Sequence, residues 1–281
     1  MTIVRRRGRV GVLASAGALA AVVVSAFAPN ASAEEIDPNY VWHSDPVSTF
    51  LAGKPFGTEV LHRVPGSFHD APRRPESDGH TSVYGPGTPV YVGDNMCTVA
   101  AAGHDAEGRK VALTAGHCGG PGANVTSADT PEVGASGTVV TADPALDYAV
   151  IELGSNAEVS RSYNGVTVND IGGAPRRPGE VVCKDGVASG HTCGVTLHDW
   201  GTENIAHVCA MPGDSGAPLV VGDRMVGIVA GGIVPAAQNL PCYSPLQGPI
   251  HGPTRSARMD SVLNSLNASD APGRGFTLPE R

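Results

Sequence analysis

Positive charge and aromatic side chains are scarce in this 281-residue chain. Lys and Arg number 19 against 27 Asp and Glu, a formal net charge of −8. Arg5, Arg6, Arg7 and Arg9 crowd the extreme N-terminus, so the remainder is more acidic still. Such a balance argues against nucleic acid or an anionic membrane as a partner. Aromatics make up only 5% of the residues, beside 37 Gly and 23 Pro. That composition argues against a helical bundle and suits turn-rich β structure. No cysteine pair has the C-x-x-C spacing of a zinc site, and no metal is expected. No cysteine precedes Cys97, and all 6 lie in one stretch ending at Cys242. An even count implies disulfides if the chain is exported, and the sequence leaves their pairing open.

What is present centres on Cys209-Ala-Met-Pro-Gly-Asp-Ser-Gly-Ala-Pro218. Ser215 sits between Gly213 and Gly216, after a cysteine and ahead of the apolar run Leu219-Val220-Val221. Glycine at 213 lets its N–H and that of Ser215 point into one concavity, which can hold the negative charge on a carbonyl oxygen under attack. Alone, Gly-Asp-Ser-Gly reads more readily as a turn. Its company decides the matter. Thr114-Ala-Gly-His-Cys118 follows Val111-Ala112-Leu113 and places His117 just past a strand, while Leu146-Asp-Tyr-Ala-Val-Ile151 places Asp147 at the entrance of another. His, Asp and Ser in that order, each at a strand edge, form the setting of a nucleophilic triad.

On these motifs the chain resembles secreted bacterial serine proteases of the chymotrypsin class, most closely the streptogrisin and alpha-lytic protease group. The likeness covers roughly Tyr84 to Asn267, and includes a small cysteine-closed loop from Val182 to Gly194. It implies an all-β fold of two packed antiparallel six-stranded β-barrels, trypsin-like, with a C-terminal helix. His117 and Asp147 come from the first barrel and Ser215 from the second. It further implies a serine endopeptidase acting on peptide or protein substrates as a monomer, without cofactor. His117 is the base, Asp147 its orienting acid and Ser215 the nucleophile, with an oxyanion hole at the N–H groups of Gly213 and Ser215. The disulfides implied are Cys97 with Cys118, Cys183 with Cys193, and Cys209 with Cys242.

Several positions depart from the family pattern. Asp214, expected to pair with a cation, meets Lys184 where the group has arginine, and lysine cannot form the bidentate fork. Ala217 replaces a glycine. In the expected substrate-binding strand Val229-Ala230-Gly231-Gly232, Ala230 replaces a serine whose hydroxyl supports the catalytic aspartate. Val229 stands where glutamate-specific relatives carry histidine, and no acid marks the pocket base, so an apolar P1 side chain is the default. These departures also motivate an alternative, a catalytically impaired pseudoprotease that serves as an extracellular binding module. The remaining histidines, including His43, His62, His69, His191, His198 and His207, lack the setting of His117 and read as surface or satisfied residues.

The chain ahead of the motifs reads as export machinery. The basic start, the apolar stretch Val10 to Ala28 and Ala31-Ser-Ala33 outline a signal peptide over 1–33, leaving a secreted protein without membrane attachment. An uncleaved anchor is the competing reading, although alanine and glycine dilute the apolar run. The arginine pair also permits twin-arginine export. Residues 34–84 hold no period of 2 or 3.6 for long and form either a short pro-segment or a linker. Short Val/Ile/Leu/Thr runs at 89–92, 110–114, 137–141, 148–153, 180–183, 219–221 and 225–229, between turn clusters, place the catalytic domain at 85–267. Met259, Val262, Leu263 and Leu266 recur at helical spacing, with Asn267 as a stop. Residues 268–281 read as a flexible tail.

Overall fold

The structure, a computed structural model, describes residues 41–43, 46–51, 60–63 and 67–70, then 79–280 except 164, 174–175 and much of 234–248, where 240, 242 and 247 are described. The expected signal peptide, its cleavage site and most of the 34–78 stretch lie outside the described residues. Among the described residues, no helix is long and apolar enough to cross a membrane.

Two barrels form the body of the protein. The first comprises β1 (Pro89–Val92), β2 (Asn95–Thr98), β3 (Ala101–His104), β4 (Lys110–Ala115), β5 (Asn124–Ser127), β6 (Ala135–Asp143) and β7 (Tyr148–Leu153). They pair antiparallel in the order β2-β1-β5-β6-β7-β4-β3. Only Val99 and Ala100 separate β2 from β3, so the two ends of that order are halves of one bent strand. The sheet therefore curls into a six-stranded ring, which leaves few unpaired edges.

The second barrel comprises β8 (Val181–Gly186), β9 (Gly190–Trp200), β10 (Glu203–Ala206), β11 (Pro218–Val221), β12 (Arg224–Gly232) and β13 (Thr254–Arg258). Here the order β12-β11-β8-β9-β10-β13 closes directly through a β12–β13 pairing. Helix α1 (Met259–Asn267) follows, as the spacing of Met259, Val262 and Leu266 predicts. All three are buried.

Strands β4 and β7 are apolar on both faces because each face has its own core. Ala112, Ala149 and Ile151 fill the interior of the first barrel, whereas Val111, Leu113, Tyr148 and Val150 alternate outward. The outward set joins Met225, Ile228, Met259, Val262 and Leu266 of the second barrel and helix in one shared cluster. Period-2 alternation places successive side chains on opposite faces, so a strand buried on both sides reads as a continuous apolar run. Each fully buried Val, Leu, Ile or Met among them contributes about 1.5–3 kcal/mol by leaving water.

Two stretches outside the expected 85–267 domain pack against it. Ser82–Tyr84, at the end of the expected pro-segment or linker, pairs in parallel with Ala157–Val159. Ser82 and Tyr84 are fully buried, and Tyr84 Oη bonds Ser136 Oγ at 2.6 Å. The barrel domain therefore includes this strand. Ahead of it, Val41–His43, Val60–Arg63 and Ser67–Asp70 form a small antiparallel sheet with a short helix, Pro46–Leu51. Residues 268–280 of the expected tail also pack against the barrels. Phe276 is buried in the shared cluster, Thr277 and His104 exchange backbone hydrogen bonds, and the Gly273 N–H donates to Asp105 Oδ2.

Candidate active site

The folding of three loops brings His117, Asp147 and Ser215 together. His117 lies in the one-turn helix Gly116–Cys118 at the end of β4, and the Cys97–Cys118 disulfide ties that turn to β2. Asp147 ends the β6–β7 turn with φ +55, the sole non-glycine positive φ among the described residues. A short polar side chain tolerates that conformation. The His117 backbone N–H donates to Asp147 Oδ1 at 2.9 Å, and Nδ1 lies 3.0 Å from both carboxylate oxygens. Nε2 faces Ser215 Oγ at 2.8 Å. These contacts fix one tautomer, with the Nδ1–H donating to Asp147 and the Ser215 hydroxyl donating to Nε2. Burial alone raises the Asp147 pKa. Hydrogen bonds from the His117 side chain and backbone, with the charges of His117 and Arg255, outweigh it and hold the carboxyl below its ordinary value.

The Ser215 loop is held from both barrels. Thr98 in β2 donates its backbone N–H to Ser215 O and its hydroxyl to Gly213 O, both at 2.8 Å. The Gly216 N–H bonds Val229 O and the Val229 N–H bonds Ala217 O. Gly216 has φ +88, and a Cβ there would lie 2.2 Å from both Thr114 Oγ1 and Thr98 O, so no other residue fits. Gly213 has φ +104. Among the described residues, neither its N–H nor that of Ser215 has an acceptor.

Behind the loop, Asp214 and Lys184 are both fully buried and 3.0 Å apart. Asp214 also accepts the N–H groups of Ala188 at 2.7 Å, Ser189 at 3.0 Å and Met211 at 3.1 Å, and the Ser189 hydroxyl. The ammonium donates to Asp214, Ser189 Oγ and Gly190 O, which uses its three protons. Ser189 thus supplies what a lysine lacks beside an arginine fork. Burial works to raise the Asp214 pKa, but the Lys184 charge and these hydrogen bonds lower it below the ordinary value.

The expected substrate strand falls in β12. Val229 and Ala230 are buried, whereas Gly231 is half-buried and Gly232 exposed. Register shifts between Val229, opposite Ser256, and Gly231, opposite Arg255, leaving Ala230 as a bulge. Much of the insertion after Gly232 lies outside the described residues. Three disulfides join Cys97 to Cys118, Cys183 to Cys193 and Cys209 to Cys242. Cys183, His191 and Cys193 bring potential ligand atoms within 4.8 Å of one another, but both sulfurs are spent in a disulfide and offer no thiolate.

Three residues at this site escaped the motifs. Thr98 and Ser189 sit next to or within the cysteine-bounded segments, where a hydroxyl was the available signal. Arg255 reaches the Asp147 carboxylate, Nη2 to Oδ2 at 3.4 Å, from a strand with no motif of its own.

Comparison with known proteins places this geometry. No protein-family profile matches the chain. An uncharacterised protein of two Mycobacterium tuberculosis strains is 34% identical over 147 residues, 48% of this chain and 65% of that protein. The chain therefore spans less than two thirds of the length of these mycobacterial relatives. Serine protease 2 of Streptomyces fradiae is 30% identical over 164 residues, 52% of this chain and 92% of that protein. Among solved structures, a Nocardiopsis protease superposes with a TM-score of 0.51 at 26% identity, covering 66% of this chain and 96% of that one.

Proposed function

The chain belongs to the bacterial chymotrypsin-class serine proteases, and on that premise we propose that it is a secreted serine endopeptidase working through His117, Asp147 and Ser215. The observation that carries this reading is the unbroken line from Asp147 through Nδ1 and Nε2 of His117 to Ser215 Oγ at 2.8 Å. A serine hydroxyl is a poor nucleophile until a neighbouring base takes its proton. As Oγ attacks the scissile carbonyl carbon, Nε2 accepts that proton, and the Asp147 carboxylate stabilises the imidazolium. The carbonyl oxygen becomes an oxyanion held by the N–H groups of Gly213 and Ser215, each such donor contributing on the order of 10²–10³ in turnover. Collapse breaks the C–N bond, and Nε2 returns the proton to the leaving amine. Water then attacks the acyl-enzyme by the same route, freeing the acid and Ser215.

Further elements of the reading are an apolar P1 side chain beside Val229, substrate backbone pairing along Ala230 to Gly232, export by the 1–33 segment, and action as a monomer on peptide or protein substrates. The three paired disulfides support an oxidising destination. The pseudoprotease reading loses its main supports, because Lys184 is fully satisfied and a second group reaches Asp147 where Ala230 cannot.

The test is labelling with a fluorophosphonate probe beside a Ser215→Ala control, with the site mapped by peptide mass spectrometry. Label confined to Ser215 is expected, and the control should lose peptidase activity by on the order of 10⁶. An unlabelled chain is retested after removal of residues before 79. Absence of label in both forms refutes the reading.

A further inference from the structure

The Asp147 carboxylate has one more partner than a His-facing acid needs. Oδ1 accepts the backbone N–H of His117, and both oxygens face Nδ1. Oδ2 also meets Nη2 of Arg255 at 3.4 Å, while the other fork atom, Nη1, binds Glu203 Oε1 at 2.9 Å. Ala230 in β12 offers no hydroxyl to this carboxylate. Register explains how the arginine reaches it. The bulge at Ala230 sets Arg255 opposite Gly231, and Ile205 of β10 pairs with Arg255 on the other side, with Glu203 two residues along. The Arg255 side chain is one third exposed, so the clamp stands at the rim of the site rather than in the core.

We propose that Arg255, braced by Glu203, is a positioning residue that anchors the outer oxygen of Asp147 and sets the charge against which His117 works. The inference rests on the triad reading above. A planar guanidinium bridging two carboxylates restricts rotation of both. The charged groups that meet the Asp147 carboxylate among the described residues are His117 on its turn and Arg255 on β13, with Glu203 on β10 behind the arginine. When the imidazolium forms, Arg255 opposes it and Asp147 favours it, while Glu203 cancels part of the opposition. The lowered pKa of Asp147 carries contributions from both His117 and Arg255 and agrees with this arrangement.

The signs separate charge tuning from scaffolding. Arg255→Met removes a positive charge, so the acid limb of the kcat/KM profile should move up by about half a pH unit, an amount consistent with a partly exposed pair. Loss of the anchor should also lower kcat several-fold with KM little changed. Glu203→Gln leaves the arginine unopposed and should move the limb down by a similar amount. Arg255→Lys keeps the charge and should hold the limb at the parent position while restoring part of kcat. The full chain is assayed with p-nitrophenyl acetate and a fluorophosphonate, next to Ser215→Ala. The inference is overturned if both charge-removing variants shift the limb the same way, or if neither moves it. A parent no more reactive than Ser215→Ala instead overturns the protease reading on which it stands. Circular dichroism of each variant identifies a misfolded protein, and the lysine and glutamine variants, which preserve size, keep the test decisive if the methionine variant misfolds.

Discussion

Removing the cation behind the Ser215 loop, Lys184→Met, tests how the loop is held. Lys184 Nζ lies 3.0 Å from Asp214 Oδ2 with both residues fully buried. At that separation and an effective dielectric near 20, the attraction is about 5 kcal/mol. Asp214 keeps its three backbone N–H donors and the Ser189 hydroxyl in the variant. Those bonds, and the option of taking up a proton, leave a net loss of about 3–5 kcal/mol. Against the 5–15 kcal/mol stability typical of a domain, that is a large fraction.

The assay is urea unfolding of the oxidised protein in a Ser215→Ala background, which prevents self-cleavage. The pH dependence supplies a second signature. In the parent the Asp214 pKa is depressed, so its contribution is present above the ordinary carboxylate value near 4 and disappears as pH falls through the folded value. In the variant a buried carboxylate without its cation has a raised pKa, so the folded form binds a proton more readily than the unfolded one. The gap to the parent should narrow as pH drops from about 7 to about 5. A variant within about 1 kcal/mol of the parent, with the same pH dependence, refutes the reasoning. Adding Asp214→Asn should recover part of the loss, because the uncompensated charge has gone.

Two further predictions concern packing. Gly216→Ala forces a Cβ to within 2.2 Å of Thr114 Oγ1 and Thr98 O at φ +88, so it should cost about 3 kcal/mol or more. An unchanged melting temperature would contradict that geometry. Phe276→Ala should destabilise the folded state by about 3 kcal/mol, since the ring is buried in the cluster shared by both barrels, and urea unfolding reads this directly. A change below about 0.5 kcal/mol would mean that the chain beyond 268 is dispensable to the fold.

The sequence displays the proposed triad because each member lies in a short string whose local character, a strand end beside a cysteine or a glycine, is written within five or six residues. The double barrel is legible for a related reason, since β4 and β7 announce burial on both faces as apolar runs. What escaped depends on pairing between distant strands. Arg255 reaches Asp147 because a bulge sets it opposite Gly231, and nothing near residue 255 encodes that register. Thr98 matters because β2 and β3 are one bent strand that presents it to the Ser215 loop. The stretch 268–280 looks loose for its glycine, proline and charge, yet Phe276 and the Thr277 backbone find partners in β3. Ser82 and Tyr84 were hidden in the same way, by a parallel partner more than 70 residues downstream.

The return of residues 273–279 to the first barrel also sets an order of events during synthesis. Asp105, His104 and the outer faces of β4 and β7 are made well before the groups that cover and bond them, Phe276, Thr277 and the Gly273 N–H. A nascent chain that has reached Ser215 already contains His117 and Asp147, yet its first barrel still lacks its closing contacts. Folding of the first barrel is thereby coupled to a segment made after every strand of the second.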